Sequence, residues 1–292
     1  MYHARRAPGP GSVVWRVGGD WTMMLGGGRA LILQVAHPTV AAGVSQFSDY
    51  EEAPWRRLAG TLDLYMRVVY GARDETAAAA GARLRALHRR IKGVDPDGRR
   101  YHALDPPAFH WVHATLVETM VEMLRRFARP PTAHEVELLY AEMREVGKLY
   151  GLRERDMPPD WSAFEEYYAR VTDKELRRSA TLDRVMASIF NPAKPPQLPL
   201  PNELWRLASR PAAELIRLIT IGSLPPLLRE RLGLRWGPER ELALRAQQEA
   251  IRRLFPLLPA RLRLMPPALA ARRGETLAAV DHPRPSDAAR VG

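Results

Sequence analysis

Apolar residues recur at three- and four-residue spacing along most of the chain, which predicts amphipathic helices rather than strands. Trp55, Leu58, Leu62, Tyr65 and Val69 mark one helix over residues 55–69. Ala80, Leu84, Leu87 and Ile91 mark the next, over 76–92, with Asp74 as its cap and Gly93 as its stop. His88 completes that apolar stripe, while Arg83, Arg85, Arg89 and Arg90 point away from it. Asp105-Pro106-Pro107 reads as an N-cap followed by proline at the first helical position. The long helix it opens carries Phe109, Val112, His113, Leu116, Met120, Met123, Leu124 and Phe127 on its inward stripe and ends before Pro130. Val136, Leu139, Met143 and Val146 place a further helix over 132–150, and MPPDW at 157–161 turns the chain into a helix with Phe164, Tyr167 and Tyr168.

Short proline-punctuated helices follow near 204–207, 213–221 and 239–255, after a connector, NPAKPPQLPLP, at 191–201. The pattern contains no internal repeat and no alternation of strand length, so the expected fold is all-α. The expected organisation is a flexible tail at 1–14, one helical domain at 15–273 with its C-terminal part packed back on its first half, and a disordered tail at 274–292.

Composition narrows the chemistry. The 292 residues contain no cysteine, which excludes disulfides, thiolate metal sites, iron–sulfur clusters and a cysteine nucleophile. The formal charge of +11 is almost all arginine. It reads first as solvated helix faces, because no zinc-finger spacing, RNP-like pattern or basic tail accompanies it, and no nucleic-acid partner is expected. The N-terminal MYHARRAPGPGSVVW lacks the apolar core of a secretory peptide. The longest apolar run, residues 215–228, is broken by Gly222 and two prolines. A cytoplasmic protein is expected, with peripheral membrane contact left open.

Four histidines and three small clusters are the candidates for chemistry. Gly26-Gly27-Gly28 precedes a strongly apolar helix, and such a turn either presents amides to an anion or allows close helix packing. His37 stands before Pro38, where helical backbone is disfavoured, so it either points into a pocket or satisfies a freed carbonyl. Arg57 and Thr61 lie one turn apart and can bind a carboxylate or orient a polar ligand atom. His88 faces the core with no acidic neighbour on its face. His110 and His113, an i, i+3 pair, form a weak metal-binding signal; His110 reads as a surface or boundary residue and His113 as a pocket residue.

The ordered set GGGRALILQVAHPTVAAGVSQFSDY, RRLAGT, LHRRIKG and YHALDPPAFHWVHATL resembles the MpaB/latex-clearing (rubber oxygenase) catalytic domain family. MPPDWSAF, LPPLLRERLGLRW and LLPARLRLMPPALAARR agree with it, and the resemblance spans roughly residues 15–273. It implies a helical domain with a globin-like core that binds b-type haem and uses dioxygen to cleave carbon–carbon double bonds in a small hydrophobic, isoprenoid substrate. By motif, His88 resembles the proximal iron ligand and Arg57 and Thr61 the polar pair beside the haem, while His37 and His113 fall in motifs typical of the shorter bacterial members, His37 as a candidate catalytic residue and His113 as the alternative axial ligand; Gly27-Gly28 are the candidates to meet a haem propionate. The rubber-cleaving pattern has a lysine immediately before the threonine; here that position is Gly60. A haem or lipid carrier without turnover, and a non-haem metal enzyme using His110 and His113, remain as alternatives.

Overall fold

In a computed structural model the protein is described over residues 7–71 and 74–275, without the side chains of Asp74 and Glu75. The helices are α1 (Val13–Val17), α2 (Gly27–Val35), α3 (Pro38–Phe47), α4 (Pro54–Tyr70) and α5 (Asp74–His88), then α6 (Pro106–Phe127), α7 (Ala133–Tyr150), α8 (Trp161–Lys174) and α9 (Ala180–Phe190). The C-terminal part adds α10 (Asn202–Ala208), α11 (Arg210–Ser223), α12 (Pro226–Arg231), α13 (Pro238–Leu254), α14 (Ala260–Arg263) and α15 (Pro266–Arg272). The fold is all-α, as the periodicity predicts. The one sheet among the described residues is an antiparallel pair, β1 (Lys92–Val94) and β2 (Arg100–His102).

That hairpin corrects the expectation of helix through residue 92. Helix α5 ends at His88, and the chain turns at Asp95-Pro96-Asp97-Gly98, where the Asp95 carboxylate accepts the N–H groups of Asp97 and Arg99. Gly98 takes φ 80°, a conformation that favours glycine. The Asp105 carboxylate accepts from the His102 N–H at 2.9 Å rather than from the helix it precedes, so β2 is tied to the start of α6.

The ordered fold begins earlier than the expected tail boundary. Val13 and Val14 are buried, and their N–H groups donate to the Glu142 carboxylate at 2.9 and 2.8 Å, so α7 serves as the cap of α1. Residues 1–6 and 276–292, most of both expected tails, lie outside the described residues, as does the proposed capping side chain of Asp74.

Helix α6 is the spine. It touches α2, α7 and α13, and its buried residues lie around most of its circumference. Helices α4 and α5 form an antiparallel hairpin beside it, and α5 packs on α7 through Gly81, where a Cβ would lie 2.0 Å from the Leu149 carbonyl oxygen. The C-terminal helices return to the first half: α11 packs on α2 and α9, α13 on α6, and α15 on α4. The 191–201 connector is held to the body by Trp55 and Trp205, whose indole N–H groups donate to the carbonyls of Ala193 and Pro192.

At the centre of the bundle, Arg29 of α2 is 1% exposed. Its Nε donates to the Ser223 carbonyl at 2.8 Å, one terminal nitrogen to the Thr119 hydroxyl at 2.8 Å and the other to the Tyr168 hydroxyl at 3.2 Å. It also pairs with Glu118. Burial opposes the charge, but Glu118 and the surrounding oxygens outweigh it and push the guanidinium pKa up. One side chain thereby joins α2, α6, α8 and α11.

Candidate functional site

The two arms of the α4–α5 hairpin bring Arg57, Thr61 and His88 to the same end of the molecule. The apolar stripe of α4 explains why that end is open. At its C-terminal half Met66, Val68, Val69 and Tyr70 are buried, whereas Trp55 and Leu58 at its N-terminal half are 37% and 39% exposed. Opposite them on α5, Ala77 and Ala80 are buried but Leu87, assigned to the core by periodicity, is 54% exposed. The two helices therefore carry an apolar face past the point where the protein covers it.

His88 sits half-buried at that opening. Its Nδ1 lies 2.9 Å from the Leu84 carbonyl, an acceptor, so Nδ1 carries the proton and Nε2 keeps its lone pair. Nε2 has no hydrogen bond among the described residues. Burial lowers the His88 pKa, with Arg57 and His102 adding positive charge nearby. The imidazole is therefore neutral, with one nitrogen oriented by backbone and the other available. Its ring meets Phe109 edge-on at 5.9 Å between centroids.

Arg57 and Thr61 are exposed on α4. The Thr61 hydroxyl donates to the Arg57 carbonyl at 3.0 Å, so toward a ligand it offers its lone pairs. A Cβ at Gly60 would meet nothing within 4 Å, so the position of the missing lysine is open. His102, which the sequence reading passed over, is brought near His88 by the hairpin. The signal was present in the Asp-Pro-Asp-Gly turn.

The other candidates lie elsewhere. His113 is wholly inside the bundle: its Nε2 is 2.8 Å from the Met143 carbonyl, its ring meets Tyr150 edge-on, and burial lowers its pKa to about 4. It joins α6 to α7. A Cβ on Gly147 would stand 3.1 Å from that ring nitrogen, which leaves no room for a planar cofactor on that side. Gly28 packs against α11, where a Cβ would lie 2.3 Å from the Thr220 hydroxyl, and Gly26 packs against Met123 and Thr119. Gly27 faces open space. For Gly26 and Gly28, close packing is the use the fold makes of the triple glycine.

His37 and His110 meet in a different place, a cleft of about 740 Å³ between α6 and α8. His37 caps α3 with extended backbone, as Pro38 requires, and its Nε2 lies 3.4 Å from the Glu175 carboxylate. Burial, with Arg177 nearby, holds its pKa below the usual value against the pull of Glu175. His110 corrects the surface assignment: it is 3% exposed, meets the Tyr167 ring in a tilted arrangement at 4.6 Å between centroids, and is pushed down to a pKa of about 3 by burial and by His113. The predicted site is thus divided between two faces of α6. Among the described residues no group of three or more His, Asp or Glu is arranged to hold a metal ion.

No helix among the described residues is long and apolar enough to cross a membrane. No solved structure matches the chain. Uncharacterized proteins of Mycobacterium tuberculosis and Mycobacterium bovis are each 26% identical to it over 241 residues, covering 81% of this chain and 87% of theirs. A family match spans residues 15–253, from the middle of α1 through nearly all of α13, and so takes in both faces of α6. By that match the chain belongs to the oxygenase family described as ER-bound oxygenase mpaB/B'/Rubber oxygenase, catalytic domain.

Proposed function

We propose that the protein is a haem-dependent oxygenase in which His88 holds the iron of a b-type haem seated against the uncovered faces of α4 and α5. The observation that carries this reading is the state of His88, neutral, with Nδ1 donating to Leu84 and Nε2 free. A histidine that ligates iron needs that protonation and benefits from that backbone partner. Trp55, Leu58 and Leu87 offer apolar surface for a porphyrin, and Arg57 offers a cation for a propionate. When bound, haem supplies the iron at which dioxygen is activated for oxidative cleavage of a carbon–carbon double bond.

The chain's own residues do the rest. Leu84 fixes the His88 tautomer, Arg57 neutralises a carboxylate at the edge of the site, and Thr61 accepts a hydrogen bond from a polar ligand atom. Gly60 leaves open space on α4 between Arg57 and Thr61 that a ligand could use. A small, unsaturated, hydrophobic substrate of isoprenoid type suits these apolar walls. Leu254, Leu257, Leu258 and Leu262 are exposed beside Arg261 and Arg263, which supports peripheral contact with an anionic lipid surface as the source of such a substrate.

The test is the ultraviolet–visible spectrum of purified protein after haem reconstitution. A Soret band at one haem per chain is expected, and its absence ends the proposal. Oxygen uptake with a polyisoprenoid or unsaturated lipid separates turnover from a carrier role, which the family membership disfavours.

A further inference from the structure

The cleft between α6 and α8 has a use of its own. Its walls include Pro106, Pro107, Pro158 and Pro159, which bring apolar rings and no N–H donors. The Trp111 N–H is already given to the Leu33 carbonyl. The polar groups left to meet a ligand are Nδ1 of His37, the His110 ring and the Tyr167 hydroxyl. None of them makes a hydrogen bond among the described residues, and the His37 Nδ1 is buried without a partner. A ring nitrogen so buried loses its water without gaining a partner, which is costly unless a ligand completes it.

Charge at the mouth points the same way. Asp156 is held by Arg153 through contacts of 2.6 and 3.0 Å, and Glu175 faces His37. The two cations that line the cleft, Arg155 and Arg170, form no ion pair among the described residues, and the Arg170 guanidinium lies over the Tyr167 ring at 5.4 Å. Aromatic surface inside, an unpartnered imidazole nitrogen on His37 and two guanidiniums outside define one kind of occupant.

We propose that this cleft binds an aromatic carboxylate, its ring against Tyr167 and His110 and its carboxylate at Arg155 and Arg170. The site is separate from His88 and does not depend on haem. It gives the protein a second ligand, on the far side of the first turns of α6, where Phe109 touches His88 and the next residue, His110, touches the occupant.

Isothermal titration of the full chain with 1-naphthoate tests it, with 1-naphthamide and hexanoate as the neutral and non-aromatic counterparts. Naphthoate is expected to bind most tightly of the three. Arg155→Ala with Arg170→Ala is expected to weaken it roughly tenfold, the scale of a lost charge-assisted contact, while leaving naphthamide unchanged. His110→Phe, which keeps the ring and removes its nitrogens, is expected to weaken both aromatic ligands. His88→Ala is expected to bind naphthoate as the parent does, whatever its haem content. The proposal is overturned by no heat with naphthoate at millimolar concentration, by equal binding of hexanoate, by insensitivity to both sets of cleft substitutions, or by loss of binding in His88→Ala.

Discussion

The Nδ1 of His88 lies 2.9 Å from the carbonyl oxygen of Leu84, one turn earlier on α5. Because that carbonyl can only accept, the relationship selects one tautomer and commits the other nitrogen to whatever enters the opening. The expected consequence is a sharp contrast between two histidines. His88→Ala loses the Soret band on reconstitution, whereas His113→Ala keeps it and loses stability, by about 2–5 kcal/mol for the cavity left by a buried ring. Spectra and urea titrations of the two variants report both quantities. Retention of haem by His88→Ala with loss in His113→Ala would reverse the assignment.

The triple glycine separates packing from ligand contact. Gly28→Ala drives a Cβ to 2.3 Å from Thr220, and such overpacking costs about 1–3 kcal/mol. Gly27→Ala meets nothing within 4 Å and gains up to about 1 kcal/mol, since alanine is the better helix residue. Thermal melts of the two variants are expected to move in opposite directions. If both leave stability alone and both weaken cofactor binding, the turn is a ligand cradle instead.

Arg29 ties four helices through one guanidinium, so removing it strands a buried carboxylate as well as three acceptors. Arg29→Met is expected to cost about 3–5 kcal/mol. Pairing it with Glu118→Gln removes the stranded charge, and the double variant should be clearly more stable than the single one. Equal chemical-denaturation midpoints for the two would show that Glu118 is not the partner that matters.

His110 and His113 have depressed folded-state values of about 3 and 4, against 6.5 in an unfolded chain. Above pH 6.5 both states are neutral and the histidines contribute no pH dependence. Below it the unfolded chain takes up protons that the folded protein refuses, so stability falls as pH falls, until the folded values are reached. The slope is roughly 1.4 kcal/mol per pH unit for each histidine. Urea unfolding between pH 7 and pH 4.5 is expected to show it, together with the contribution of His37 and His88, whose values burial also lowers, and His113→Phe should reduce the slope by roughly 1.4 kcal/mol per pH unit. An identical slope in parent and variant would assign the acid sensitivity to other groups.

Much of the fold is legible in the sequence because a helix with one buried face writes its phase into the order of residues. Helix α7 is the clear case, with Val136, Leu139, Met143 and Val146 all buried as periodicity predicts. The same logic fails on α6. That helix is buried around most of its circumference, so its apolar residues no longer mark one direction, and His110 was assigned to the surface although it is as buried as its neighbours. Leu87 fails for the opposite reason: it continues an apolar stripe beyond the protein's own cover. The 92–102 hairpin is too short to show alternation, and only its Asp-Pro-Asp-Gly turn announces it. The Arg29–Glu118 pair joins residues 89 positions apart, a separation that no local pattern carries.

The uneven cover of the α4–α5 hairpin gives the molecule a gradient of local stability. Amides of residues 66–70, and those of Ala77, Ala80 and Gly81, lie on packed faces of the hairpin, and they open only when the bundle does. Those of residues 55–61 and 85–88 rest on helix hydrogen bonds backed by little packing, so they exchange with solvent hydrogen through small openings that leave the rest intact. The softest end of the hairpin is therefore the end that carries Arg57, Thr61 and His88. An occupant there would be registered first as a slowing of exchange at those amides.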